Sequence, residues 1–185
     1  MNFIKVIEEV ATKLDQKGIR YALIGGFAMA LRGVQRATVD LDFILMIDDL
    51  NDADRIFQSA GYVRAFKNEN VSHYIASEDE LGRIDILHAF RGPSLSMLER
   101  ADRIEIVKGR TLPVVQTEDI IGLKIQAAIN DKKRAVRDWA DIQIILETAA
   151  EQRQRVDWEL IESYLELFDI KEKLNAVRGW YGATE

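Results

Sequence analysis

YALIGGFAMALRGVQRATVDLDFIL, residues Tyr21 to Leu45, is the stretch around which the chain is organised. It ends in two acids, Asp40 and Asp42, set two positions apart in a strongly apolar run. On a strand alternate side chains share a face, so both carboxylates point one way while Leu41, Phe43 and Leu45 point the other. Carboxylates that close repel unless a cation lies between them, and a divalent metal ion satisfies both. Upstream, Ile19 to Ile24 reads as a short buried strand that stops at Gly25-Gly26. Phe27 to Leu31 reads as a helix with Gly33 as its C-cap. The glycine pair therefore lies at a strand-to-helix turn, where backbone N–H groups can face an anion. With strand alternation carried upstream, Arg36 and Thr38 share the face of Asp40. Arg36 then suits either a phosphate or a structural pairing with the acids.

Composition bounds the rest. At 185 residues, 48% apolar and 30% charged, the chain suits one compact domain, or one domain with a small helical extension. No apolar run approaches the roughly 20 residues of a membrane span. Glu8, Glu9 and Asp15 interrupt the N-terminal segment in a way that does not suit a secretory signal. The absence of cysteine excludes disulfides and thiolate metal sites and fits a cytoplasmic location. A net charge of −6 argues against a broad electrostatic grip on nucleic acid, although a local basic groove stays open. Any metal must be held by oxygen or by His73 and His88, which favours carboxylates and a hard cation such as Mg²⁺, or Mn²⁺.

Residues 3 to 17 place Phe3, Val6, Ile7, Val10, Ala11 and Leu14 at helical spacing. Leu50 to Ala60 repeats that pattern and stops at Gly61, with Asp48, Asp49, Asp52 and Asp54 read as acids of a helix first turn. Tyr62 to Phe66, Val71 to Ala76 and Leu81 to Phe90 read as strands, the last two joined by the turn Ser77 to Glu80. Arg91-Gly92-Pro93 breaks the pattern, and Arg103 to Val107 with Thr111 to Val115 forms a further hairpin around Lys108-Gly109. From Thr117, read as an N-cap, the chain turns helical: Glu118 to Ile129, Arg134 to Ala150, Trp158 to Phe168 capped by Asp157, and Lys171 to Val177. The tail from Gly179 reads as frayed. The expected fold class is α+β: a mixed sheet flanked by helices over residues 1–116, followed by a C-terminal helical part over 117–185.

A third acid completes the pattern. Asp85 stands in the apolar strand IDIL, an echo of DLDF, and shares its face with Arg83 and Leu87. Three acids from neighbouring strands can bridge two cations ~3.5–4 Å apart, the arrangement that phosphoryl transfer requires. The bland alternative has Asp40 at a strand end and Asp85 paired with Arg83 or Arg36. His73, His88 and the aromatic residues Trp139, Trp158, Trp180 and Tyr181 show no spacing that separates them from core or surface.

Strand, Gly25-Gly26, helix, then Arg36-x-Thr38-x-Asp40-Leu-Asp42 and the later strand acid Asp85 resembles the nucleotidyltransferases of the DNA polymerase beta superfamily. The nearest likeness is to small bacterial members that include abortive-infection toxins. The resemblance is strong over residues 20 to 90 and looser beyond. It implies Mg²⁺ or Mn²⁺ on Asp40, Asp42 and Asp85, with Asp85 orienting the acceptor hydroxyl, and an NTP whose phosphates meet Gly25 and Gly26. It further implies that Lys124, a cation in the apolar helix segment IIGLKIQAA, contacts the nucleotide. Arg137, Asp138 and Asp141 match a family pattern, and Arg137 and Asp141 are read here as helix-packing ion pairs. The superfamily often has Gly-Ser where this chain has Gly25-Gly26, which removes a hydroxyl from the phosphate site.

The expected activity is transfer of a nucleoside monophosphate from an NTP to a hydroxyl acceptor (tRNA or other RNA, protein or small molecule) with release of pyrophosphate. The resemblance also implies a role as the toxin of a toxin–antitoxin pair, with a cognate antitoxin and no membrane partner. The alternative is a non-catalytic nucleotide- or partner-binding module on the same fold. A metal-dependent phosphohydrolase is disfavoured by the shortage of histidines.

Overall fold

The computed structural model describes residues 3–78 and 81–182. Asp79 and Glu80 of the expected turn, residues 183–185 of the tail and the side chain of Phe3 lie outside the described residues. The chain divides into two units, Met1–Leu31 with Arg36–Val115, and Arg32–Gln35 with Gln116–Glu185.

The first unit begins with helical turns α1 (Phe3–Val6) and α2 (Thr12–Gln16), joined by a π-helical segment, Ile7–Ala11. Val6, Ile7, Val10, Ala11 and Leu14 are buried, as their spacing requires. Strand β1 (Tyr21–Ile24) is buried along its length and passes at Gly25 into the short helix α3 (Gly25–Leu31). β2 (Asp40–Met46), helix α4 (Leu50–Ser59), β3 (Tyr62–Lys67), β4 (Val71–Ala76) and β5 (Arg83–Ala89) follow. Helix α5 (Gly92–Arg100) then leads to the hairpin β6 (Asp102–Val107) and β7 (Arg110–Val114). The seven strands form one mixed sheet in the order β3-β4-β5-β2-β1-β7-β6. β2 runs parallel to β5 and antiparallel to β1, and β1 is parallel to β7.

Alternation decides which sheet face is which. Leu41, Phe43 and Leu45 of β2 are buried, as are Ile84, Ile86 and His88 of β5 and Ser72 and Tyr74 of β4. Ile44, on the acid face further along β2, is buried as well, so the acids sit at the open end of a strand that is otherwise covered. Two expectations are corrected here. Residues 34–38 are irregular and β2 starts at Asp40, so Arg36 and Thr38 do not share a strand face with the acids. Strand pairing with β5 begins only at Asp40, and the Thr38 hydroxyl donates to the Asp40 carbonyl at 3.1 Å, a local bond of the kind that competes with a strand ladder. Arg91-Gly92-Pro93, read as a break, opens helix α5, with Pro93 in its first turn, where a missing N–H costs nothing.

The second unit is helical: α6 (Thr117–Asn130), α7 (Ala135–Glu151), α8 (Trp158–Leu167), a 3₁₀ turn at Lys171–Lys173, and α9 (Leu174–Gly182). Gln116, not Thr117, is the N-cap of α6, and it makes no side-chain cap bond. Glu118 and Asp119 are buried and reach other helices: Glu118 Oε1 accepts from the Asp157 N–H at 2.8 Å, and Asp119 Oδ1 accepts from the Tyr164 hydroxyl at 2.6 Å. Asp157 caps α8 as expected, accepting from the N–H groups of Glu159 and Leu160. α6 and α8 meet over Gly122, where a Cβ would stand 2.7 Å from the Tyr164 ring. Among the described residues no helix is long and apolar enough to cross a membrane.

Candidate active site

Three adjacent strands assemble the site by register. Asp42 of β2 lies opposite Asp85 of β5, and Asp40 lies opposite Arg83. Asp85 in turn lies opposite His73 of β4. Registered neighbours on a pleated sheet project to one face, so Asp40, Asp42, Asp85, Arg83 and His73 form a single patch. The Arg83 guanidinium bridges two of the acids, 2.8 Å from Asp40 Oδ2 and 3.2 Å from Asp85 Oδ2. The other Asp85 oxygen, Oδ1, is 2.7 Å from His73 Nδ1. An ionised carboxylate only accepts, so His73 carries its proton on Nδ1 and donates it. The His73 ring is stacked on Phe66 of β3, centroids 5.4 Å apart.

Asp42 ties the acids to the glycine turn. Gly25 has φ +67°, a conformation glycine adopts without penalty, and a Cβ built on it would lie 2.0 Å from Asp42 Oδ2. No larger residue fits while that carboxylate stays in place. Beside it, a Cβ on Gly26 would stand 3.1 Å from both Cβ and Oγ1 of Thr38. A serine at 26 would crowd Thr38, so Thr38 contributes the hydroxyl beside this turn. Arg36 is 3.8 Å from the Met29 sulfur.

The remaining predicted residues fall in the helical unit. Lys124 donates to Asp138 Oδ1 at 2.9 Å and to Asp141 Oδ2 at 2.6 Å, and all three side chains are largely buried. Asp138 also lies 3.5 Å from Arg134, while Arg137 is exposed. His88 takes no part in the acid face. It is buried on the opposite side, bonded to Ser72 and the Glu69 carbonyl, and burial pushes its pKa below the usual 6.5. Arg83 pairs with Asp85, as the alternative reading of the sequence had it, and His73 is the site residue that spacing alone did not single out. The signal for His73 is the antiparallel β4–β5 register, which a sequence does not print.

Among the described residues no group of three or more His, Asp or Glu side chains stands ready to hold a metal ion. The Arg83 guanidinium contacts both Asp40 and Asp85. The donor set nonetheless fits a hard divalent cation: the three acids are oxygen donors on one face, and a cation already bridges two of them.

The model of the nucleotidyl transferase AbiEii toxin family, type IV toxin–antitoxin system, matches residues 10–178. The chain belongs to this family. It is thus an enzyme of the nucleotidyltransferase class, a group whose chemistry is transfer of a nucleoside monophosphate. No protein of curated function is significantly similar to it in sequence. Among solved structures, the solution structure of the antibiotic-resistance factor ANT(2'')-Ia aligns with a TM-score of 0.63 at 14% identity, covering 99% of this chain and 100% of that one. An antigenic nucleotidyltransferase-like protein from Paracoccidioides brasiliensis aligns at 0.56 and 18% identity over 95% and 91%. The lincosamide adenylyltransferase LnuA, with lincomycin bound, aligns at 0.50 and 15% identity over 63% and 82%. At these identities the likeness concerns the fold, the nucleotidyltransferase sheet and helices expected from the sequence.

Proposed function

We propose that this AbiEii-family member transfers a nucleoside monophosphate from an NTP to a hydroxyl acceptor and releases pyrophosphate. The observation that carries the reading is the shared face of Asp40, Asp42 and Asp85, with the Asp42 carboxylate packed against the Gly25 backbone. Asp40, Asp42 and Asp85 are the residues that would hold Mg²⁺ or Mn²⁺. The bound ions would supply charge stabilisation for the phosphates and the acceptor oxygen. In this reading Gly25 and Gly26 leave room for the triphosphate to approach the backbone, and Thr38 and Arg36 flank it. Asp85, held by His73, receives the acceptor proton. Lys124 enters as a nucleotide contact, since an ammonium has three N–H groups and two are given to Asp138 and Asp141. Residues 1–116 serve as the catalytic core and residues 117–185 as its helical region.

The family further motivates a role as the toxin of a two-gene pair, with a cognate antitoxin that restrains it in the cytoplasm. Both layers are tested separately. Pyrophosphate release is assayed with each NTP and with tRNA, protein and small-molecule acceptors, comparing wild type with Asp40→Ala and Asp42→Ala. Loss of turnover by about 10³-fold or more is expected in both variants, whereas equal turnover would remove the site. For the toxin role, induced expression should arrest growth in wild type and not in Asp40→Ala, and growth without arrest would remove that role alone.

A further inference from the structure

The acid face does not end at His73. Counting register outward from Asp85, His73 of β4 is followed by Phe66 of the edge strand β3, and Arg83 is followed by Ile75 and then Val63. All lie on the same face as Asp40 and Asp42. Val63 is 62% exposed, Phe66 48% and Ile75 52%, so three large apolar side chains stand open to solvent beside the acids. One half of the face is charged and the other half is apolar, and the two halves meet at His73, which touches both Asp85 and Phe66.

We infer that the β3–β4 half of this face is the acceptor platform, and that the acceptor is a small, phosphate-free hydroxyl compound carrying a flat apolar ring. The inference rests on the functional reading above. Three observations select this occupant. The patch is continuous with the acids: adjacent strands lie ~4.8 Å apart, which puts Phe66 about 10 Å from Asp85, the span between the hydroxyl and the ring of a small glycoside. An aromatic ring already stacked on one side and half exposed offers its remaining surface to a second ring. Charge argues against a polyanion on the β3–β4 half of the face. Polynucleotides require Lys or Arg on their phosphates, and among the described residues the cations of this hairpin turn elsewhere. Arg64 lies opposite buried Tyr74 and pairs with Asp54 at 3.0 Å, and Lys67 is registered with Ser72 of the core face.

The test uses the full chain loaded with Mg²⁺ and a non-hydrolysable ATP analogue, and follows the methyl resonances of Val63 and Ile75. Three probes are titrated: phenyl β-glucoside, glucose, and a short single-stranded oligoribonucleotide. Saturable shifts are expected with phenyl β-glucoside, with glucose at least tenfold weaker and the oligoribonucleotide weaker still. Phe66→Ala should reduce affinity for phenyl β-glucoside about tenfold and leave affinity for the ATP analogue unchanged. Ile75→Thr, a milder surface change, should reduce it severalfold. Equal binding of glucose and phenyl β-glucoside, no saturable shift at either methyl, or an unchanged Phe66→Ala variant would overturn the platform. Tight, Phe66-dependent binding of the oligoribonucleotide would overturn the class in favour of RNA. Failure of the wild type to bind the ATP analogue would instead count against the functional reading itself.

Discussion

Two clusters in this protein have the same parts, one cation bridging two aspartates. Arg83 bridges Asp40 and Asp85, and Lys124 bridges Asp138 and Asp141. They differ in burial. The Arg83 side chain is 49% exposed, whereas Lys124 is 12% exposed and Asp138 is fully covered. A half-exposed pair contributes ~1 kcal/mol or less, so its cation can leave. A buried pair cannot lose a member without stranding a charge, at about 3–5 kcal/mol. Exposure, more than composition, therefore separates a cluster able to exchange its cation for a metal from one that holds helices together.

The largest effect should come from breaking the buried cluster. Lys124→Met removes the buried cation that Asp138 and Asp141 share and should destabilise by about 3–5 kcal/mol. That lowers the melting temperature by roughly 10 °C; a shift under about 2 °C would erase the contrast. Gly25→Ala comes next. Its positive φ and the 2.0 Å approach to Asp42 Oδ2 should cost about 1–3 kcal/mol and displace that carboxylate, so thermal unfolding and pyrophosphate release should both suffer. Arg83→Gln, the counterpart of Lys124→Met, should change stability by ~1 kcal/mol or less, measured by urea unfolding.

The smallest effect concerns the core face. The fold holds His88 neutral below the usual 6.5, so the unfolded chain binds the extra proton as pH falls through that value. His88 thus contributes stability above pH 6.5 that is lost on acidification. Replacing it with Gln should flatten the stability profile between about pH 7 and 5 relative to wild type, and an unchanged slope would place the titration elsewhere.

Much of the acid face was legible because strand alternation is local. Asp40 and Asp42 share a face by spacing alone, and Asp85 announces itself as a charge within IDIL. The register that seats Asp85 beside Asp42, and His73 beside Asp85, depends on strand pairing between distant segments. Arg36 and Thr38 fall outside the strand because its pairing with β5 starts only at Asp40, and where a partner strand begins is not something periodicity registers. Helix α5 was hidden by Gly92-Pro93, which marks a break and a helix start equally well. Asp141 is a helix-packing ion pair, as read from RDWAD, but its cation is Lys124 of the preceding helix, a pairing between helices that spacing does not print.

The central claim is that the Arg83-bridged face is a divalent-cation site. Mn²⁺ affinity, measured by calorimetric titration of the full chain, tests it without any acceptor. Removing the competing guanidinium in Arg83→Gln should tighten binding several-fold, and Asp40→Asn and Asp42→Asn should each weaken it at least tenfold. Affinities equal to wild type in all three variants would contradict the account.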